Sequence, residues 1–459
     1  MLTIRQILTD KEAIIAGLEK KHFNNARDII ESVIAIDQQR KSAQQKKDNA
    51  SQQMNVLSKS IGALMAKGER EQAEQVKAQT AQLKEDVRTY ESEMAQAEEE
   101  QRNLLLTIPN VPYSIVPDGA TADDNLAVKV GGWQAGNGID ILCQDNDKAF
   151  AIEGASIALR DWKDEYNPTR QEELLPHWEL AKKYHLIDFD LGVKIAGAGF
   201  PVYTGQGAHL QRALIQFFLD EATKAGYTEI MPPTVVNAAS GYGTGQLPDK
   251  EGQMYHAEVD DLYLIPTAEV PVTNLYRDEI VDEKQLPVKM CAYTECFRRE
   301  AGSYGKDVRG LNRLHEFSKI EIVRIDTPEH SAQSHREMLD HVESLLKKLE
   351  LPYRILRLSG GDMSFTAALC YDFEVYSLAQ QRWLEVSSTS NFDTYQANRL
   401  HCRYRDSEKK VQLAHTLNGS ALALPRIMAA LLENGQTADG IVLPKALHPY
   451  FGKEKIESI

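Results

Sequence analysis

The sequence lacks a disulfide pattern, a membrane-length apolar run, the common phosphate-binding loops and any excess of positive charge. Its five cysteines, Cys143, Cys291, Cys296, Cys370 and Cys402, are an odd, scattered set with no CxxC pair. That suits a reducing compartment and speaks against a disulfide framework or a structural zinc site. No run approaches the roughly 18 apolar residues of a membrane-spanning helix. The start, MLTIRQILTDKEAII, meets Arg5, Asp10 and Lys11 too early for a signal-peptide core, so a cytoplasmic protein is expected. GxxxxGK[ST] does not occur, and the glycines of GYGTGQLPDK (241–250) do not fit GxGxxG between a strand and a helix. Lys and Arg number 52 against 67 Asp and Glu, a net charge of -15, which excludes a wholesale basic coat but not a local basic stripe.

What is present begins with size: 459 residues, 42% hydrophobic and 26% charged, describe an ordinary soluble chain with more than one domain. No proline precedes Pro109. After a short helical preamble, apolar or small residues fall on a 3-4 rhythm at Val33, Ile36, Ala43, Ala50, Met54, Leu57, Ile61 and Leu64. The rhythm breaks at Lys67-Gly68 and resumes at Ala73, Val76, Thr80, Leu83, Val87, Tyr90, Met94, Ala97 and Leu104. The pattern predicts two helices of about 30 residues, an antiparallel coiled-coil hairpin projecting roughly 45 to 50 Å. Residues 38–67 carry six bases (Arg40, Lys41, Lys46, Lys47, Lys59, Lys67) and one acid; residues 69–102 carry five bases and ten acids. Two readings fit: opposite charges that fix the pairing of a solvated coiled coil, or a basic helix that lies along a phosphate backbone.

Residues 106–125, with Pro109, Pro112 and Pro117 and an acidic end, read as a linker. The 132–172 segment carries no assignable chemistry. From His177 the chain reads as helix, glycine-rich strands, a long helix with Leu210, Leu214, Phe217, Phe218 and Ala222 on its buried face, and a strand from Tyr227 to Pro233. Pro232 and Pro233 cannot donate ladder bonds and suit an edge. The stretch VKMCAYTECFRREAGSYGKDVRGLNRLHEFSKIEIVRI (288–325) reads as strand, mobile charged loop, strand. In an extended chain Arg298 and Glu300 point one way, and Phe317, Lys319 and Glu321 share a face. Phe317 and Glu321 then lie roughly 13 Å apart, enough for an aromatic platform and a carboxylate at opposite ends of a long ligand.

FRREAG followed by RGLNRLHEF resembles motif 2 of the class II aminoacyl-tRNA synthetases, in wording nearest the seryl-tRNA synthetases. The stretch from His177 to Asn237 resembles motif 1, and LNGSALALPRIMAALLEN (417–434) resembles motif 3, with Ala421 and Pro425 where glycine is common in the family. LEVSSTSN (384–391) resembles the family's metal-binding strand, and IPTAEV (265–270) with NGS (418–420) its serine-recognition segments. Resemblance covers most of the chain outside 132–172, in family order.

The resemblance implies an α+β protein: an arm over residues 1–108 that grips the long variable arm of serine tRNA, and a catalytic domain over 109–459 on an antiparallel sheet. It implies activation of L-serine by ATP and charging of tRNA(Ser), with tRNA(Sec) a second candidate, by a homodimer. Arg298 would fork the α-phosphate and the serine carboxylate, a task that suits guanidinium. Glu300 would accept from the exocyclic amine of adenine, Phe317 would stack on the base, and Arg426, in the first turn of its helix, would cover the other face. Arg299, Leu314, Val386 and Ser387 would complete the ATP site. Glu385 and Ser388 would hold Mg²⁺ with hard oxygens, which, three apart in a strand, requires a bulge or bend. Thr267, Ala268, Glu269, Asn418, Glu321 and Ser420 would hold serine. Arg40, Lys41, Lys46, Lys47 and Lys59 would meet tRNA, with Arg399, Arg403 and Arg405 near its acceptor end. Two alternatives stay open: a related ligase that charges another acceptor, and a non-catalytic RNA-binding or coiled-coil protein that keeps the fold.

Overall fold

The computed structural model describes residues 1–131, 144–146, 151–153, 174–249, 252–300 and 309–457. Cys143, nearly all of 132–172 and most of the charged loop after Glu300 lie outside the described residues. The chain divides into two compact units, Met1–Glu19 with Phe23–Pro109, and Lys20–His22 with Asn110–Ile459.

The first unit is built on α1 (Ala26–Ala66) and α2 (Arg70–Leu106). They reverse at Gly68, whose φ of +81° is open to glycine at no steric cost. The helices have 41 and 37 residues, longer than the rhythm suggested, and span about 55 to 60 Å. Nothing between Ala26 and Ala66 breaks a helix, so each runs on beyond its apolar repeat. Val33, Ala43, Ala50, Ala73 and Ala97 are buried in the seam. So is Asp37, which Arg40 and Lys41 neutralise at 3.1 and 2.7 Å.

The second unit is organised on an eight-stranded sheet. In chain order its strands are β1 (Leu126–Gly131), β2 (Thr228–Glu229), β3 (Val288–Phe297), β4 (Glu316–Asp326), β5 (Tyr353–Arg357), β6 (Leu369–Ser377), β7 (Arg382–Asn391) and β8 (His415–Ala423). Across the sheet they run β1-β5-β6-β7-β8-β4-β3-β2. Every pairing is antiparallel except β3 with β2 at the edge. β2 is only two residues long, not seven, because Pro232 and Pro233 supply no donors to extend it. Residues 107–125 are not a free tether. The buried Asn110 side chain donates to the Thr366 and Phe392 carbonyls at 2.9 and 2.8 Å.

Three helices pack on the central strands: α3 (Gly205–Lys224), α4 (Ser331–Lys348) and α5 (Leu424–Asn434). Leu210, Leu214, Phe217, Phe218 and Ala222 are buried on α3, as their spacing predicts. Strand alternation then divides β4. Ile320 and Ile322 belong to the main core with α3 and α4, and Val323 and Ile325 to a smaller cluster with Met290 and Ala292. Phe317, Lys319 and Glu321 have the parity of Val323, so Lys319 and Glu321 occupy the face away from the main core, while Phe317, at the end of the strand, still packs against its edge.

Candidate active site

On that face a cavity of about 390 Å³ is lined by residues from β4, β7, β8 and the segments beside them. Its polar floor lies at one end. Lys319 Nζ reaches Thr267 Oγ1 at 2.8 Å and Glu321 Oε2 at 2.5 Å. Asn418 Nδ2 donates to Glu321 at 2.9 Å and to Glu269 at 3.0 Å. The second oxygen of Glu269 accepts from Gln396 Nε2 at 2.6 Å, and Gln396 is itself held by Thr416 at 2.7 Å. Ser420 Oγ stands 3.5 Å from Glu321. Burial, then the neighbouring Glu321 carboxylate, push the Glu269 carboxyl up to about 7. Thr267, Glu269, Asn418 and Ser420 face the cavity; Glu321 lies just beneath its wall at 1% exposure, and Ala268 is buried behind.

The other end is larger and more open. Arg298 continues the ladder past β3, its amide donating to the His315 carbonyl at 2.9 Å, and its guanidinium lies 5.4 Å over the Phe317 ring. Glu300 has left the strand, at φ +48°, so it shares no strand face with Arg298; it still lines the same cavity, paired with Arg313 at 2.8 Å. Leu314 forms part of the wall, whereas Arg299 is exposed and does not line it. Arg426 sits in the first turn of α5, where Pro425 costs no hydrogen bond. Its Nη1 donates to the Glu385 carbonyl at 2.7 Å and its Nε to the Asn312 carbonyl at 3.1 Å.

β7 carries the expected bulge. Phe373 pairs with Ser387 and Glu374 with Glu385, leaving Val386 unpaired between them. Glu385, Val386, Ser387 and Ser388 thereby all line the cavity. Ser387 Oγ donates to the Ser420 carbonyl at 2.6 Å, tying this wall to the polar floor. Across the ladder from Ser388, Asp372 is half-buried, and desolvation with the nearby Glu385 raises its carboxyl well above the usual range. Among the described residues no group of three or more His, Cys, Asp or Glu could hold a metal by itself. Glu385 and Ser388 nevertheless suit Mg²⁺, which takes one or two protein oxygens and completes its shell with water and phosphate.

Sequence reasoning missed several neighbours. Lys319 was legible only as a residue on the right face, and its position between Phe317 and Glu321 was the signal. Gln396, Asn312 and Arg313 carry no local signature. Of the arginines expected near an acceptor end, Arg399 donates to the Tyr242 and Leu247 carbonyls at 3.3 Å. On the arm, Lys46 lies 5.7 Å over Tyr90, Lys47 is 3.9 Å from Asp48, and Lys59 is exposed.

Family models match on both units: "Seryl-tRNA synthetase N-terminal domain" over residues 1–112 and "tRNA synthetase class II core domain (G, H, P, S and T)" over 253–435. The serine--tRNA ligase of Salinibacter ruber is 46% identical over 458 residues, covering 99% of each chain. The chain belongs to the seryl-tRNA synthetase family. A second relative, the serine--tRNA ligase of Chlorobaculum parvum, is 41% identical over 100% of both chains. Among solved seryl-tRNA synthetases, the one from Pyrococcus horikoshii, complexed with ATP, matches with a TM-score of 0.88 over 100% of both chains at 28% identity. The long N-terminal helices and the antiparallel-rich catalytic sheet are thus features of a seryl-tRNA synthetase. Among the described residues, no helix is long and apolar enough to cross a membrane.

Proposed function

We propose that this chain activates L-serine with ATP, forming seryl-adenylate and pyrophosphate, and transfers the serine to the terminal adenosine of tRNA(Ser). The observation that carries this reading is the opening of one cavity onto two chemistries. Its floor is a carboxylate, amide and hydroxyl network fit for a small polar amino acid. Its upper walls carry the guanidinium groups of Arg298, Arg313 and Arg426, an aromatic ring and the bulged Glu385–Ser388 strand.

The serine carboxylate attacks the α-phosphorus and pyrophosphate leaves, so the site must position reactants and stabilise negative charge; it needs no protein nucleophile. Arg298 is the group for the α-phosphate and the serine carboxylate. Phe317 and Arg426 flank adenine, and Glu300 accepts from its amine. Thr267 and Glu269 hold the amino-acid end, while Glu321 and Ser420 meet the hydroxyl. Glu385 and Ser388 would hold Mg²⁺, which neutralises phosphate charge when bound. Alanine would forgo the hydroxyl's contacts with Glu321 and Ser420, and sites that read a substrate hydroxyl reach discrimination of about 10⁴ to 10⁵. Threonine is excluded by its extra methyl group.

The basic face of α1 is the surface for tRNA(Ser), and tRNA(Sec) is a second candidate substrate. The working unit is a cytoplasmic homodimer. Apolar side chains left open in and near the motif 1 segment, Met231 at 90% and Ile195 at 74% exposure, support that assembly. The test is charging: with ATP, serine should attach to a tRNA(Ser) transcript, and a tRNA(Sec) transcript in parallel decides the wider range. Activation of serine without attachment to either would favour a ligase for another acceptor.

A further inference from the structure

The catalytic unit holds a buried polar cluster, beside the cavity, that the proposed chemistry does not use. It joins His177, the first residue of a short helix (His177–Lys183), to Glu433 near the end of α5. Both side chains are fully buried. Glu433 Oε1 accepts from the His177 amide at 2.9 Å, from His177 Nδ1 at 2.7 Å and from Gln380 Nε2 at 2.9 Å; Oε2 accepts from Ser377 Oγ. So many donors satisfy a carboxylate that would otherwise be costly to bury. On the far side of the ring the Leu311 amide donates to His177 Nε2 at 2.8 Å. Because a backbone amide can only donate, Nε2 must be the accepting nitrogen and Nδ1 must carry the proton. The ring therefore has one orientation and one tautomer in which both contacts are made.

The clamp acts on a wall of the cavity. Gly310, at φ +66°, makes the close approach possible, since a Cβ there would fall 2.2 Å from His177 Nε2. Leu311 and the next residue, Asn312, both line the cavity. The Asn312 side chain donates to Gln380 Oε1 at 3.1 Å, which returns to the same cluster. The Asn312 carbonyl accepts from Arg426 Nε at 3.1 Å. Arg426 and Glu433 are seven residues apart on α5, about 10.5 Å along its axis. The cluster thus grips the helix at one end and, through Asn312, sets the guanidinium at the other.

We infer that His177 and Glu433 are positioning residues for the nucleotide: they fix the Leu311–Asn312 wall and, through the Asn312 carbonyl, the orientation of Arg426. This rests on the reading of the cavity as an ATP site and adds residues to it that touch no substrate. The polar floor that would hold serine shares no hydrogen bond with the cluster, so the effect should fall on ATP alone.

The substitution H177N keeps a donor near the Nδ1 position for Glu433 but removes the acceptor for Leu311, whereas H177Q returns an acceptor near the Nε2 position. In serine-dependent ATP-pyrophosphate exchange, H177N should raise the KM for ATP about tenfold, with the KM for serine within about twofold of wild type. H177Q should recover most of that loss. Q380A, at the half-exposed end of the cluster, should raise the ATP KM about threefold and serves if H177N does not fold. Titration of Mg-ATP into the same proteins should give the same order of affinities. Equal rises in both KM values accompanied by a lower melting temperature, or wild-type ATP affinity in folded H177N or Q380A, would overturn the inference. A wild-type chain silent in exchange would instead remove the activation reading, and the ATP titration would still decide whether His177 orders the wall.

Discussion

Glu269 and Glu321 share one donor: the Asn418 amide nitrogen stands 3.0 Å from the first and 2.9 Å from the second. Burial, and after it the neighbouring Glu321 carboxylate, raise the Glu269 carboxyl to about 7, while Lys319 sits 2.5 Å from Glu321. A substrate ammonium group entering the floor would favour the ionised form of Glu269.

Glu269 should consequently make both stability and serine binding pH-dependent. Its carboxyl is raised from 4.5 to about 7, so between those values the folded chain binds more protons than the unfolded one. Stability from this group is complete below about pH 4.5 and is lost as pH rises towards 7, a change on the order of 3 kcal/mol. Urea unfolding at pH 5 and pH 7.5 should show a smaller difference in Glu269→Gln than in wild type. The serine KM in exchange assays should fall as pH rises through about 7, since an ammonium group pairs with the ionised form.

Lys319 is the counter-ion of Glu321, 2.5 Å away. Lys319→Met should leave a buried carboxylate unpaired and cost about 3 to 5 kcal/mol in urea unfolding. In the Glu321→Gln background the same change should cost clearly less. Equal costs in both backgrounds would show that the pair is not coupled.

Arg298 should separate catalysis from stability. Its side chain is exposed, and its Nε donates to the Pro266 carbonyl at a long 3.4 Å. Arg298→Ala should lower the exchange rate about 10²- to 10³-fold with little change in melting temperature. Arg298→Lys should restore little, because an ammonium group does not reproduce a planar fork.

Much of this site follows from local spacing. Alternation in an extended chain puts Phe317, Lys319 and Glu321 on one face, and the three-residue separation of Glu385 and Ser388 calls for a bulge or bend, of which Val386 supplies the first. Helical spacing put Arg426 in a first turn, and the heptad rhythm marked the arm. What could not be read comes from closure in three dimensions. Gln396 reaches Glu269 across 127 positions, and His177 reaches Glu433 across 256. No local pattern encodes such contacts. The arm helices exceed the expected length because further apolar residues, among them the buried Ile30 and Leu105, carry α1 and α2 past the 3-4 rhythm.

The two units should divide the reaction. Deletion of residues 38–103, closed by a short turn, should leave serine-dependent exchange near wild type while charging of tRNA(Ser) collapses. Alanine at Lys59 together with Lys46 should weaken tRNA binding and flatten its salt dependence without touching exchange. Equal loss of exchange and charging in the deletion would refute the division.

The central claim is that a serine-selective floor and a nucleotide-binding wall open onto one cavity, and a pyrophosphate-exchange screen across all proteinogenic amino acids tests it most directly. Serine should drive exchange, alanine should fail by about 10⁴-fold or more, and threonine should be rejected for its extra methyl. Exchange driven best by another amino acid, or by none, would contradict the account.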